Sequence, residues 1–331
     1  MKSDEILLLT SGEIQSLLTL DECIGAVEHA FRIYGEGSAL PPAVLSMHTD
    51  AGGFHVKAGL LELGRSYFAA KVNGNFPENS SRFGLPTIQG VIVLCDARNG
   101  TPLAVMDSRD ITSLRTAAAT AVAAKYLARQ NSRTITICGC GNQGRIQLKA
   151  LSRVRHLETA FAYDRDVERA LRFSEDLTSD LGISVKPVSD LAAAVRQSDI
   201  CVTCTTSRQP LLGYDDVAPG TFIAAVGADN PQKQELHPSL MARSKIVCDM
   251  LEQCAAMGDL HHALDAGLVT RANVHAELGE IVAGKKPGRE SKEEVTIFDS
   301  TGMALQDVAA AAFLFEKAER NGSGVRLSFA A

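Results

Sequence analysis

Several function classes are excluded by what the chain has little of. Its formal net charge is −6 over 331 residues, so it carries no basic footprint and nucleic acid is not expected as a partner. No apolar run reaches the length of a membrane span, and no membrane association is expected. The opening "MKSDEILLLTSGEI" has early acids and no long apolar region before a small-residue cleavage site, so it does not read as a secretory signal. A cytoplasmic protein is the expectation. Internal repeats and low-complexity segments are also absent. Among the eight cysteines Cys201 and Cys204 form a CxxC, with no second pair at zinc-like spacing. Cys138, Cys201, Cys204 and Cys248 lie in apolar, β-like runs, where cysteine behaves as a small hydrophobe, so no metal site is expected.

What is present is enough apolar residue, 45%, for more than one core. Residues 19–35 have helical apolar spacing, with Thr19 or Asp21 as cap and Gly35 as stop. From 42 to 107, short runs such as "FHVKAGLL", "YFAAKVNG", "GVIVLCDA" and "GTPLAVMD" alternate with turn residues, which predicts an antiparallel or mixed sheet. An alanine-rich helix is expected over 111–129. Beyond 132 the rhythm becomes strand, helix, strand, helix. It predicts strands near 134–138, 159–163, 199–204, 221–226 and 245–248, and helices at 142–153 and 166–181. The fold class is therefore α/β, with a doubly wound parallel sheet of Rossmann type and a second α+β domain. One more strand and a terminal helix follow near the end, and the tail after Asn321 is expected to fray.

"TITICGCGNQGRIQLKAL" carries the first chemical signal. Gly139 permits a tight turn, Gly141 lets the backbone approach a pyrophosphate, and Gly144 lets the helix pack closely on the strand. Asn142 and Gln143 lie between them at the start of the helix, where phosphate charge rests on N-terminal amides. A lone GxGxxG is weak, but this one follows a strand, opens a helix and sits within a βαβ unit. Asp164 ends the next strand, where a carboxylate can accept the adenosine ribose hydroxyls and repel a 2′-phosphate. The alternative is a cap for the following helix. Arg165 beside it can hold a 2′-phosphate, so NAD is preferred and NADP stays open.

Several stretches together resemble the ornithine cyclodeaminase/μ-crystallin family: "AAKVNGNFPENSSRFGLPTIQG", "PLAVMDSRDITSLRTAAATA", "GCGNQGR", "AVGADNPQKQEL", "HAELGEIVAGKKPG" and "FDSTGMALQD". The resemblance covers most of the chain. It implies a homodimer that binds NAD(P) and transfers hydride at the carbon of a small amino acid or imine. It also implies that residues 1–128 and 304–331 form a substrate-binding and dimerisation domain, with the dinucleotide-binding domain, 129–303, inserted between them.

The resemblance gives Lys71 a role against the substrate, where a desolvated ammonium could also do acid–base work. By itself it would read as a solvated strand-end lysine. Arg115 is implied to grip the α-carboxylate with its planar fork. Asp229, after the strand near 221–226, is implied as the proton-transfer group, although an aspartate before Pro231 also suits a turn. Thr205 and Thr206 are placed to line the cofactor, and Ser300, Thr301 and Gly302 to pass the nicotinamide, though each also fits a turn or cap. One departure stands out. Ala43 occupies a position where several members have a carboxylate-binding arginine. Lys57 either compensates from a neighbouring strand or is an exposed strand residue. The expected activity is NAD-dependent reduction of an imine or ketimine, or oxidation of an amino acid. An ornithine cyclodeaminase-type ammonia-lyase using NAD catalytically, and a non-catalytic μ-crystallin-like NAD(P)H-binding protein, are the alternatives.

Overall fold

The computed structural model describes residues 5–328. They divide into two compact units, residues 5–115 with 303–328, and Thr116–Gly302. The first division falls inside the helix Ser108–Leu127 rather than after it. The reason lies in the last turns of that helix. Leu127 O accepts from Thr296 Oγ1 and Arg289 Nε, and Tyr126 O accepts from Arg289 N, all within Thr116–Gly302.

The first unit is built on a seven-stranded mixed sheet. Its order is Val325–Ser328, Glu5–Leu9, Pro102–Asp107, Ile88–Asp96, Ser66–Asn75, Gly52–Glu62 and Ala43–Thr49. Glu5–Leu9 runs parallel to Pro102–Asp107, and the other neighbours are antiparallel. The expectation that the tail frays is corrected here. Val325–Ser328 alternates apolar and polar residues and pairs with Glu5–Leu9, a strand the sequence patterning left unassigned.

Side chains alternate across the sheet. Leu61, Tyr67, Ala69, Ile92 and Leu94 point inward and are buried on the side covered by helix Ala304–Asn321, on which helix Leu20–Glu36 packs in turn. Helix Leu20–Glu36 starts in a reciprocal box, Thr19 accepting from Glu22 N while the Glu22 carboxylate takes Thr19 N. It ends at Gly37, φ +82°, and not at Gly35, which lies buried inside it. Gly59 sets the approach of the terminal helix. A Cβ there would sit 2.8 Å from Leu305 Cδ2.

The second unit carries an eight-stranded sheet in which every pairing is parallel. The expected strands are present as Thr134–Cys138, Thr159–Tyr163, Ile200–Thr203, Phe222–Ala225 and Lys245–Cys248, with helices Asn142–Val154 and Val167–Leu181. Thr134–Cys138 lies between Thr159–Tyr163 and Ile200–Thr203. The chain therefore winds outward one way from 134–138 and then returns to wind the other way, which opens a crevice at the strands' carboxyl ends. Edge strands Ser184–Pro187 and Val274–Glu277, and a small ladder of Arg208–Leu212 with Gln234–Leu236, were not marked by the apolar pattern. They are short, and their polar residues break the alternation. No helix among the described residues is long and apolar enough to cross a membrane.

Gly59→Val should lower stability by about 1–3 kcal/mol through overpacking against the terminal helix, seen as a fall in the thermal midpoint. Gly12→Ala, where a Cβ meets nothing within 4 Å in a helix, should leave the midpoint level or raise it.

Candidate functional site

The glycine elbow behaves as the sequence predicts. Gly139 adopts φ +107°, and a Cβ on it would lie 2.9 Å from Cys204 O. A Cβ on Gly144 would lie 2.1 Å from Gly139 O, so the helix approaches the strand as closely as glycine allows. Gly141 is different. Its φ of −81° suits any residue, and a Cβ there would meet nothing within 4 Å. Nothing in the protein requires glycine at 141, and a group bound at the helix N-terminus would. The cradle thus fits a pyrophosphate.

A cleft of about 620 Å³ adjoins it, lined by Gly139, Gly141, Asp164, Arg165, Thr205 and Thr206 among others. Asp164 ties its far side to the elbow, accepting from Cys140 N at 2.9 Å and Asp166 N at 2.9 Å. It does not cap the next helix; Asp166 does, accepting from Arg169 N. Arg169 Nη1 lies 3.9 Å from Asp164 Oδ2, so both signs of charge meet at this end. Asn142 and Gln143 open the helix but do not line the cleft. Gln143 Nε2 is buried without a protein partner.

Ser300, Thr301 and Gly302 are also outside that lining. They are gathered by buried Asp249, which accepts from Gly302 N at 2.6 Å, Thr301 Oγ1 at 3.1 Å and Ser300 Oγ at 3.3 Å. Asp229 follows Phe222–Ala225 on an exposed loop, and Lys233 Nζ donates to its Oδ1 at 2.7 Å. Cys201 belongs to the apolar interior of this unit and half-buried Cys204 lines the cleft, and burial pushes both thiols up.

In the first unit, Lys71 and Arg115 come together around a residue the sequence did not mark. Lys71 is 3% exposed and Arg115 5%. Asp307, on the terminal helix, accepts from Lys71 Nζ at 2.8 Å and from Arg115 Nε at 3.0 Å. Its neighbour Gln306 accepts from Arg115 Nη1 at 3.0 Å. With Nε and one Nη1 hydrogen committed, the fork offers its Nη1/Nη2 end to an anion. Burial lowers the Lys71 ammonium to about 7, with Arg115 and Lys57 acting in the same direction and Asp307 against them. The two cations in turn hold the Asp307 carboxyl below its ordinary range against the effect of its own burial. Lys57 lies directly opposite Lys71 in the ladder, on the same sheet face. Ala43 pairs with Ala58, one residue out of step, so its Cβ faces the other side. A signal for Asp307 was present in "ALQDVAAAAFLF": one carboxylate in a helical run that is otherwise almost wholly apolar.

Gly141→Ala separates the elbow's two roles. It should leave the thermal midpoint unchanged yet weaken NADH more than tenfold, measured by NADH fluorescence.

The sequence profile of the ornithine cyclodeaminase/mu-crystallin family matches residues 4–322. The alanine dehydrogenase of Archaeoglobus fulgidus is 41% identical, the match covering 98% of this chain and 99% of that one. A solved archaeal alanine dehydrogenase dimer with bound NAD superposes with a TM-score of 0.94 at 41% identity, over 98% of this chain and 99% of the other. The Δ1-pyrroline-2-carboxylate reductase of Thermococcus litoralis, solved with NADH and L-proline, gives 0.92 at 36% identity, over 97% and 99%. The chain belongs to the ornithine cyclodeaminase/mu-crystallin family.

Proposed function

We propose that the chain is an NAD-dependent oxidoreductase of the carbon–nitrogen bond, reducing a 2-imino acid to an amino acid or running the reverse reaction. The observation that carries this is the buried Lys71–Asp307–Arg115 cluster. With Lys71 protonated, two cations face one anion, and the excess positive charge suits one substrate α-carboxylate. Relatives that act on alanine or on Δ1-pyrroline-2-carboxylate support the same chemistry.

NAD supplies or accepts a hydride at nicotinamide C4 when bound. The Nη1/Nη2 end of Arg115 takes the substrate carboxylate, held in orientation by Asp307 and Gln306. Lys71, poised near neutrality, adds charge to that grip and can hold or release a proton beside it. Asp229 moves the proton on the substrate nitrogen, since an imine accepts hydride best when protonated and an amine must shed a proton to lose one. Lys57 adds positive potential around Lys71 and Asp307. Asp164 selects NAD over NADP through the adenosine ribose. Asn142 and Gln143 present helix N-terminal amides to the pyrophosphate, and Ser300, Thr301 and Gly302 pass the nicotinamide.

Assays with NADH and either Δ1-pyrroline-2-carboxylate or pyruvate plus ammonia should show stoichiometric NADH oxidation, which Asp229→Asn depresses. Ammonia release from ornithine with no net change in NADH would overturn the proposal in favour of a cyclodeaminase. Binding of pyrrole-2-carboxylate, an unreactive carboxylate, should weaken as pH rises through about 7, where Lys71 loses its charge. Lys71→Met should bind it weakly at every pH and remove the step.

The outward face of the first sheet fits a second copy of the chain. Leu45, Met47, Phe54, Phe68, Val72 and Val91 are all exposed there, Met47 by 64% and Phe54 by 47%. A contiguous apolar face of this kind is uncommon on a monomer, and a relative of this fold is a dimer. Val72→Asp should convert a dimer to a monomer in sedimentation or light scattering; native-like mass would overturn the assignment.

A further inference from the structure

Glu235 is a carboxylate with no exposed surface, and none of the roles above uses it. It lies in the short strand Gln234–Leu236, paired with Arg208–Leu212. Its Oε1 accepts from Thr205 N at 2.6 Å and from Thr205 Oγ1 at 2.7 Å. Its Oε2 accepts from Gly227 N at 2.8 Å. One carboxylate thereby joins the loop after Ile200–Thr203 to the loop after Phe222–Ala225. The first of these lines the dinucleotide cleft, and the second leads into Asp229.

The joint is built around the acid. A Cβ on Gly227 would lie 2.5 Å from the Glu235 carboxyl, so glycine there makes room for it. Asp259 fixes the strand that carries Glu235, accepting from Glu235 N and Leu236 N at 2.8 Å each. Asp299 in turn accepts from Leu260 N at 2.9 Å and Asp259 N at 3.3 Å. The Thr205 hydroxyl gives its hydrogen to Glu235 and accepts from Ser207 N at 3.1 Å. Its orientation is therefore fixed before any ligand arrives. Burial pushes the Glu235 carboxyl up, and the Thr205 and Gly227 donors pull it back.

We propose that Glu235 is a positioning residue for the cofactor, which sets the Thr205 wall of the cleft and the entry to the Asp229 loop without touching the dinucleotide. The inference rests on the assignment of that cleft to NAD(H) and is independent of the substrate.

Glu235→Gln keeps the shape but turns an amide donor towards one of the backbone donors. It should weaken NADH about tenfold in fluorescence titrations without substrate, well below the melting temperature, as expected for loss of hydrogen bonds to a charged group. Thr205→Val should cost much less in that background than in the native chain, because both changes act on one contact. Gly227→Ala, whose methyl displaces the carboxylate without removing it, should reproduce the loss and serves also where Glu235→Gln fails to fold. Native-like NADH binding in the variants, with only a lower melting temperature, would overturn the inference, as would independent losses from Glu235→Gln and Thr205→Val. Failure of the native chain to bind NADH would overturn the cleft assignment and this inference with it.

Discussion

A single carboxylate decides how the first unit is put together. Two cations from different elements, Lys71 on a central strand and Arg115 on a long helix, are taken out of water side by side. Without an anion between them their repulsion and lost hydration would outweigh the packing around them. Asp307 provides it, and so the terminal helix must reach this sheet at this height. Gly59 makes the approach sterically acceptable, and Gln306 completes the hold on the guanidinium. A buried pair of this kind is weak evidence for stability, since an apolar cluster of equal volume often does better. Its retention is better explained by the orientation it imposes and by the neutral-pH proton it leaves on Lys71.

The nucleotide unit uses acids in a related way with a different partner. Asp164, Glu235 and Asp249 each accept from backbone N–H groups of loops at the carboxyl ends of the strands. Loops there leave the ladder and lose their strand partners, so their donors must be met by other means. Carboxylates meet two or three donors at once and make charge-assisted bonds. The consequence is a crevice whose walls are fixed from behind by buried carboxyl groups, while its floor at the helix N-terminus favours anions.

Local constraints were legible in the sequence, and distant ones were not. Gly139 and Gly144 answer demands made by residues within a few positions or by the adjoining strand, which is why their spacing alone placed the elbow. Asp164 follows from its place at a strand end. Asp307 is 236 residues from Lys71 and 192 from Arg115, and no local period encodes either pairing. Glu235 sits in a strand too short to show alternation, 30 residues from Thr205. The helix stops at Gly37 and not at Gly35 because Gly37 takes the left-handed cap conformation while Gly35 lies buried within the helix, and either glycine could end a helix on sequence alone. The resemblance to a known family supplied Lys71, Arg115 and Asp229 as candidates. Physical patterning by itself left each with an ordinary surface alternative.

The pairing of Val325–Ser328 with Glu5–Leu9 bears on the order in which the chain becomes a protein. During synthesis the segment Thr116–Gly302 emerges whole, and its parallel sheet draws only on itself. The first sheet must wait. Its outer strand, its covering helix and the carboxylate that neutralises Lys71 and Arg115 all lie after Gly302. Until they leave the ribosome, the sheet's inward face and both cations lack their partners. That interval is when the chain's exposed apolar surface is most open to aggregation.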